Sequence, residues 1–213
     1  PNVFRSSWSS LAAWTPVNPM PGFDFSWVNS LSFQSNGTLW AGVGNMATGI
    51  YTSTDAGATW SPVATAPLEV TSIALDSVDA QIIYAGARCG LFGEKLGRTM
   101  VSCGVYKSVD GGATWLPASQ GLAGLAAEAL AASPSNVDLV YTYNERGLLK
   151  STNGGASWQQ LGIFTHGYPW FASRLSMAYC AADRVYLGGS SDYLYPGAQT
   201  TPTVMIGDSS SGW

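Results

Sequence analysis

Charge is scarce in this chain. Only 10% of its 213 residues are Asp, Glu, Lys or Arg, against roughly a quarter in an ordinary soluble domain, so a surface of hydroxyls, amides and turns is expected rather than one of ion pairs. Nine basic residues face thirteen acidic ones, a net charge of −4, and no basic stripe exists to meet a phosphate backbone or an anionic bilayer; nucleic acid is not expected as a partner. Histidine occurs once, at His166, so Cys–His metal sites and Ser–His–Asp triads lack their parts, and neither a metal nor another cofactor is expected. No apolar run reaches the 18 residues that mark a membrane-spanning helix. The chain opens on Pro1 with no initiating Met and no visible signal sequence, which reads as a processed or excised polypeptide.

Cysteine is also sparse, with three residues. Cys89 and Cys103 flank a single insertion and make the natural pair, with Cys180 left over; three reduced thiols are the other reading. Asn36-Gly-Thr38 is a glycosylation sequon compatible with secretion, although Asn-Gly between Leu31-Ser-Phe and Leu39-Trp-Ala is better explained as a hairpin turn.

What the chain has in quantity is apolar and aromatic residues, 46% and 12%, enough to bury a sizeable core, and a repeat. Ser53-Thr-Asp-Ala-Gly-Ala-Thr-Trp60 returns as Ser108-Val-Asp-Gly-Gly-Ala-Thr-Trp115 and as Ser151-Thr-Asn-Gly-Gly-Ala-Ser-Trp158. Each copy follows a short apolar run and precedes another, which is strand, tight turn, strand. In such a turn an Asp or Asn accepts backbone N–H bonds, Gly supplies positive φ, and a Ser or Thr hydroxyl adds a local bond. Asp55, Asp110 and Asn153 are therefore expected to cap their own turns, with Trp60, Trp115 and Trp158 as apolar anchors; the Asn in the third copy shows that accepting hydrogen bonds suffices there.

The pattern resembles the Asp-box (BNR) repeat, S-x-D-x-G-x-T-W, of sialidase-, xyloglucanase- and sortilin-type β-propellers. Trp14, followed by Thr-Pro-Val as Trp60 is by Ser-Pro-Val, marks a decayed earlier copy, and Asp208 to Trp213 a decayed last one. The intervals between these tryptophans are 46, 55, 43 and 55 residues, and a period in the forties fits a four-stranded propeller blade. Inside each interval an inner run (27–33, 70–75, 128–132, 174–179) precedes an aromatic-centred run (39–42, 83–86, 140–142, 185–188) and then the strand leading into the box. Residues 121–132 have the composition of a helix former, but their register against 70–84 assigns 128–132 to an inner strand, with a short helical turn at 122–127 left open. The expectation is all-β: residues 1–213 as one propeller segment of about four blades, an arc that further blades, from the same polypeptide or a partner chain, complete.

In an up-and-down blade the boxes share a face with the turns between first and second strands, so ligands are expected on the opposite face. The long connections there, 163–173 and 189–202, carry Tyr168, Trp170 and Tyr193, rings able to stack on sugars, with packing of the loops themselves as the plainer role. Candidate acids on that face are Asp24, Glu69, Glu94, Glu145 and Asp192, of which Glu145 and Asp192 are taken forward as a catalytic pair. The resemblance implies a secreted, carbohydrate-active or carbohydrate-binding protein similar to xyloglucanase-type hydrolases, whose catalysis would use paired carboxylates. The six arginines show no recognisable R-I-P motif, which argues against sialidase activity. The other implied class is a non-enzymatic propeller that binds a protein, as sortilin-like receptors and photosystem assembly factors do.

Overall fold

A computed structural model of the chain describes residues 3–6, 14–17, 27–44, 49–89, 103–122, 124–144, 146–162, 174–180, 184–190 and 203–208. Strands β1 (Val3–Arg5) and β2 (Thr15–Val17) form a two-stranded antiparallel sheet. Three four-stranded meanders follow. The first is β3 (Trp27–Phe33), β4 (Leu39–Gly44), β5 (Ile50–Ser53) and β6 (Ser61–Pro62). The second is β7 (Val70–Leu75), β8 (Ile83–Ala87), β9 (Gly104–Ser108) and β10 (Leu116–Pro117). The third is β11 (Ala129–Ala132), β12 (Val140–Asn144), β13 (Gly147–Ser151) and β14 (Gln159–Gly162). Strands β15 (Arg174–Cys180), β16 (Arg184–Ser190) and β17 (Thr203–Asp208) make a last sheet of three. The first strands β3, β7, β11 and β15 stand next to one another in sequence order, which arranges the sheets radially as blades.

The core lies between blades, because the three four-stranded sheets carry buried residues on both faces, as the second strands β4, β8 and β12 show. Trp40, Ile50, Val70, Ile73 and Ile83 fill the space between the first two complete blades. Tyr84, Val105, Leu122, Leu130, Val140, Leu149 and Trp158 fill the next. Tyr141, Leu148 and Val185 join the third blade to the sheet of three. Blade-to-blade hydrogen bonds run beside this packing: Asn29 Nδ2 donates to Val70 O at 2.8 Å, Ser32 Oγ to Ile73 O at 3.0 Å, and Trp158 Nε1 to Ala118 O at 2.7 Å.

The segment with helix-forming composition contains no helix among its described residues. Leu122 bonds back to Ser119 O and Leu125 to Leu122 O as isolated turns, Leu122 is buried, and β11 begins at Ala129. Tertiary packing outweighs propensity here: the small Ala129–Ala132 side chains suit a strand crowded by neighbouring blades.

The three box turns are built alike. Ser53 Oγ donates to Asp55 Oδ1 at 2.8 Å and accepts from Gly57 N at 2.9 Å, while Asp55 accepts from Thr59 N at 2.8 Å and Thr59 Oγ1 at 2.5 Å. Ser108, Asp110, Gly112 and Thr114 repeat these bonds at 2.6–2.8 Å. In the third copy Asn153 Oδ1 accepts from Ser151 Oγ and Ser157 N, and its Nδ2 reverses one bond by donating to Ser157 Oγ at 2.8 Å. The threonine hydroxyl first, then the threonine N–H and the serine hydroxyl, hold the carboxyls of Asp55 and Asp110 down at about 2, below the ordinary 3.8.

A pH dependence with a definite sign follows. The depressed carboxyls contribute stability that is complete above the unfolded value and drains away as pH falls from about 4 through about 2. Replacing both Asp55 and Asp110 by Asn, the residue the third box already uses, is expected to flatten that part of the acid-unfolding profile. Urea denaturation of both proteins between pH 6 and pH 2 checks it; parallel profiles would show that these carboxyls carry none of the dependence.

Candidate functional site

The boxes and the first-to-second-strand turns share one edge of the array, because Gly111 N donates to Gln81 O at 3.0 Å and Gly154 N to Asp138 O at 2.8 Å. The opposite edge is where β3, β7 and β11 begin and where β4, β8 and β12 end. A row of polar side chains crosses the blades there. Glu69, immediately before β7, has a left-handed backbone at φ 53°, a conformation that costs a non-glycine residue about 1–2 kcal/mol. Its carbonyl accepts from Arg88 N at 2.9 Å, which ties the start of β7 to the end of β8.

Arg88 then reaches to the third blade. Its Nη2 lies 2.7 Å from Glu128 Oε2 and its Nε 3.3 Å from Glu128 Oε1, a two-pronged ion pair. Glu128, chiefly, and the charge of Glu69 raise the Arg88 guanidinium above its ordinary value against the effect of burial. At the other end of the row Gly44 has no side chain where a Cβ would sit 2.7 Å from Asn29 Nδ2 and 3.7 Å from Glu69 Oε2, so Asn29 and Glu69 both approach the end of β4. The two-pronged geometry resists rotation of the guanidinium better than a single contact would.

Beside Arg88, Cys89 and Cys103 form a disulfide, S–S 2.09 Å and Cα–Cα 4.6 Å, which rests against the Gly124 carbonyl. It clamps the base of the insertion at the register where Ala87 pairs with Gly104. Of the two cysteine readings the sequence left open, pairing is the one realised.

Among the acids singled out from sequence, Glu69 sits on this edge. Asp24, Glu94, Glu145 and Asp192 lie outside the described residues, as do Tyr168, Trp170 and Tyr193. The strand ends and starts nearest Tyr168, Trp170, Glu145, Asp192 and Tyr193 in sequence, Gly162 and Arg174, Asn144 and Gly147, and Ser190 and Thr203, belong to the edge opposite the boxes. Arg88 and Glu128 were not singled out. The available signal was a charged residue at the head of the otherwise apolar run 129–132, and an arginine directly before Cys89.

With both Glu128 oxygens engaged by Arg88, this carboxylate is a structural clamp between the second and third blades. The row as a whole offers an amide, a guanidinium and carboxylates along a shared rim. Such groups hydrogen-bond hydroxyl-rich ligands and equally the polar backbone of a docked polypeptide.

The BNR/Asp-box repeat family matches residues 51–62. The chain resembles an Asp-box propeller. Comparison with curated protein sequences finds no match. Among solved structures the chain is similar to an ancestral GH74 enzyme (TM-score 0.56, 19% identity, 86% of this chain and 24% of that one). It is also similar to the GH74 xyloglucanase from Xanthomonas campestris (TM-score 0.51, 15% identity, 84% and 29%) and to YCF48 from Cyanidioschyzon merolae (TM-score 0.52, 16% identity, 91% and 60%). At these identities the likeness is one of fold: an all-β arc of Asp-box blades. The chain spans about a quarter of the length of the two GH74 structures and 60% of YCF48.

Proposed function

We propose that this chain is a carbohydrate-binding Asp-box propeller segment that works outside the cell, with its ligand on the edge opposite the boxes. The observation that carries the reading is the convergence at that edge: the strand ends bracketing Tyr168, Trp170, Tyr193, Glu145 and Asp192 all belong to it, beside the row Asn29, Glu69, Arg88 and Glu128. Aromatic faces set among amides and charges are the chemistry that grips sugar rings. The Cys89–Cys103 disulfide supports an oxidising compartment, and the GH74 xyloglucanase likeness supports a xyloglucan-like glycan. Where hydrolysis accompanies binding, Glu145 and Asp192 supply the acid and base.

A glycan array followed by titration calorimetry tests this. Trp170→Ala is expected to weaken binding by about 1–3 kcal/mol if its ring stacks on a sugar as aromatics stack on bases, and Glu145→Gln to abolish any release of reducing ends while leaving binding within a few fold. Unchanged affinity in Trp170→Ala rejects the assignment. The second reading is a propeller that binds protein without catalysis. It is favoured by the YCF48 likeness, which covers more of both chains than the GH74 ones do, and a blank glycan array together with specific capture of a polypeptide ligand would select it.

A further inference from the structure

On the box face, away from the proposed glycan edge, a cleft of about 460 Å³ opens between the first and second complete blades. Its walls include Gln34, Thr38, Trp40, Thr52, Gln81 and Gly111, and the only ionisable residue among the described lining is Asp110. The equivalent place one blade further on is filled. There Lys107 lies cross-strand from Tyr84, its Nζ 5.3 Å from the centre of the Tyr84 ring, and donates to Gly154 O of the next box at 3.0 Å. The corresponding lysine of the third blade, Lys150, stands over Tyr141 in the same cross-strand register.

In the first complete blade that register pairs Trp40 with Thr52, and Gly111 holds the place of Gly154, since both donate their N–H to the first-to-second-strand turn of their own blade. Threonine is too short to span to the next box. The turn between first and second strands is also two residues shorter here, 34–38 against 76–82 and 133–139. The cleft therefore keeps an aromatic ring at its wall, Trp40, 4% exposed, and the box carbonyl, but lacks the side-chain ammonium that unites the two one blade further on.

We infer that this cleft binds a primary alkylammonium group, seated where Lys107 Nζ sits in the neighbouring blade pair: against the Trp40 ring, donating to Gly111 O. Indole is the best of the aromatic faces for a cation. Both Asp110 oxygens already accept from Ser108 and Thr114, so this carboxylate adds negative potential rather than a contact, and the net charge of −4 favours a cation further. A free diamine and a lysine side chain of a protein both present this group.

The test is an NMR titration of the whole chain that follows the Trp40 indole Nε1–H, a proton donated to Gln34 Oε1 at 3.2 Å. The probes are 1,5-diaminopentane, Nα-acetyl-lysinamide and the neutral 1-pentanol. Both amines are expected to shift the resonance saturably, at least tenfold more tightly than the alcohol, and the tighter of the two identifies the source as a free diamine or a protein lysine. Thr52→Lys, which supplies the missing ammonium from within, is expected to raise the apparent Kd for the amines at least tenfold, whereas Thr52→Val leaves it within twofold. An equal response to 1-pentanol, no response to either amine, or unchanged amine affinity in a folded Thr52→Lys protein overturns the inference.

Discussion

Gly112→Ala is expected to destabilise the chain by about 2–5 kcal/mol, a left-handed backbone cost of about 1–2 added to an overpacking cost of about 1–3. Gly112 has φ +91°, and a Cβ placed on it would lie 2.6 Å from Trp40 Cη2 and 3.0 Å from Cζ3. The indole cannot give way, because it is buried among Ile50, Val70 and Ile83 and tied through Nε1 to Gln34. Gly37→Ala separates the two contributions: its φ is +94° but nothing lies within 4 Å of its Cβ position, so only the backbone cost of about 1–2 kcal/mol is expected. Urea denaturation of the two variants side by side measures the difference. Equal losses would mean that the box turn does not pack on the preceding blade as described.

Tyr84→Ala is expected to cost about 3–5 kcal/mol, as for other large aromatics removed from a core, whereas Tyr84→Phe should cost under about 1 kcal/mol. Tyr84 is wholly buried in the cluster between the second and third blades, beneath Lys107 and against the third box, where a Cβ on Gly155 would come within 3.4 Å of its Cε1. Its hydroxyl contributes little, since the contact with Val137 O is long at 3.5 Å. Burial first, then the charges of Asp76 and Asp138, push the hydroxyl far above its ordinary value. Thermal and urea unfolding of the Ala and Phe variants check the contrast. A Phe variant as unstable as the Ala variant would move the weight from ring packing to the hydroxyl.

Both predictions concern the same architectural device, the box of one blade seated on the second-strand aromatic of the blade before. The device explains why the box motif is so legible. Ser, Asp, Gly and Thr at those spacings satisfy one another within eight residues, so the turn needs no tertiary partner to define it, and strand order follows from the spacing of the copies. The inner strands were legible for a related reason, their recurrence at the same place in each interval between box tryptophans, and where composition misled, as at 121–132, alignment of the repeats corrected it.

The rim was less legible. Glu69 stood out as an acid in a connection, but the pairing of Arg88 with Glu128 joins residues 40 apart in sequence and different blades, and its existence depends on how two sheets are turned towards each other. Nothing local encodes it. The same holds for the cleft of the box face: Thr52, Lys107 and Lys150 sit side by side in an alignment of the repeats, yet that a threonine there leaves room, instead of a harmless surface substitution, depends on the gap between two packed blades.

The sequence by itself determined the blade, its strand order, the capping chemistry of the box and the face on which each connection emerges, because these are set by interactions within one hairpin and by the spacing of the repeats. Tertiary structure alone decided which side chains meet between blades: the Arg88–Glu128 clamp, the seating of Gly112 on Trp40, the choice of a disulfide over free thiols and the open space beside Thr52. Contacts of that kind depend on sub-ångström distances between separately formed sheets, and a repeat pattern carries the spacing along the chain but not the fit across it.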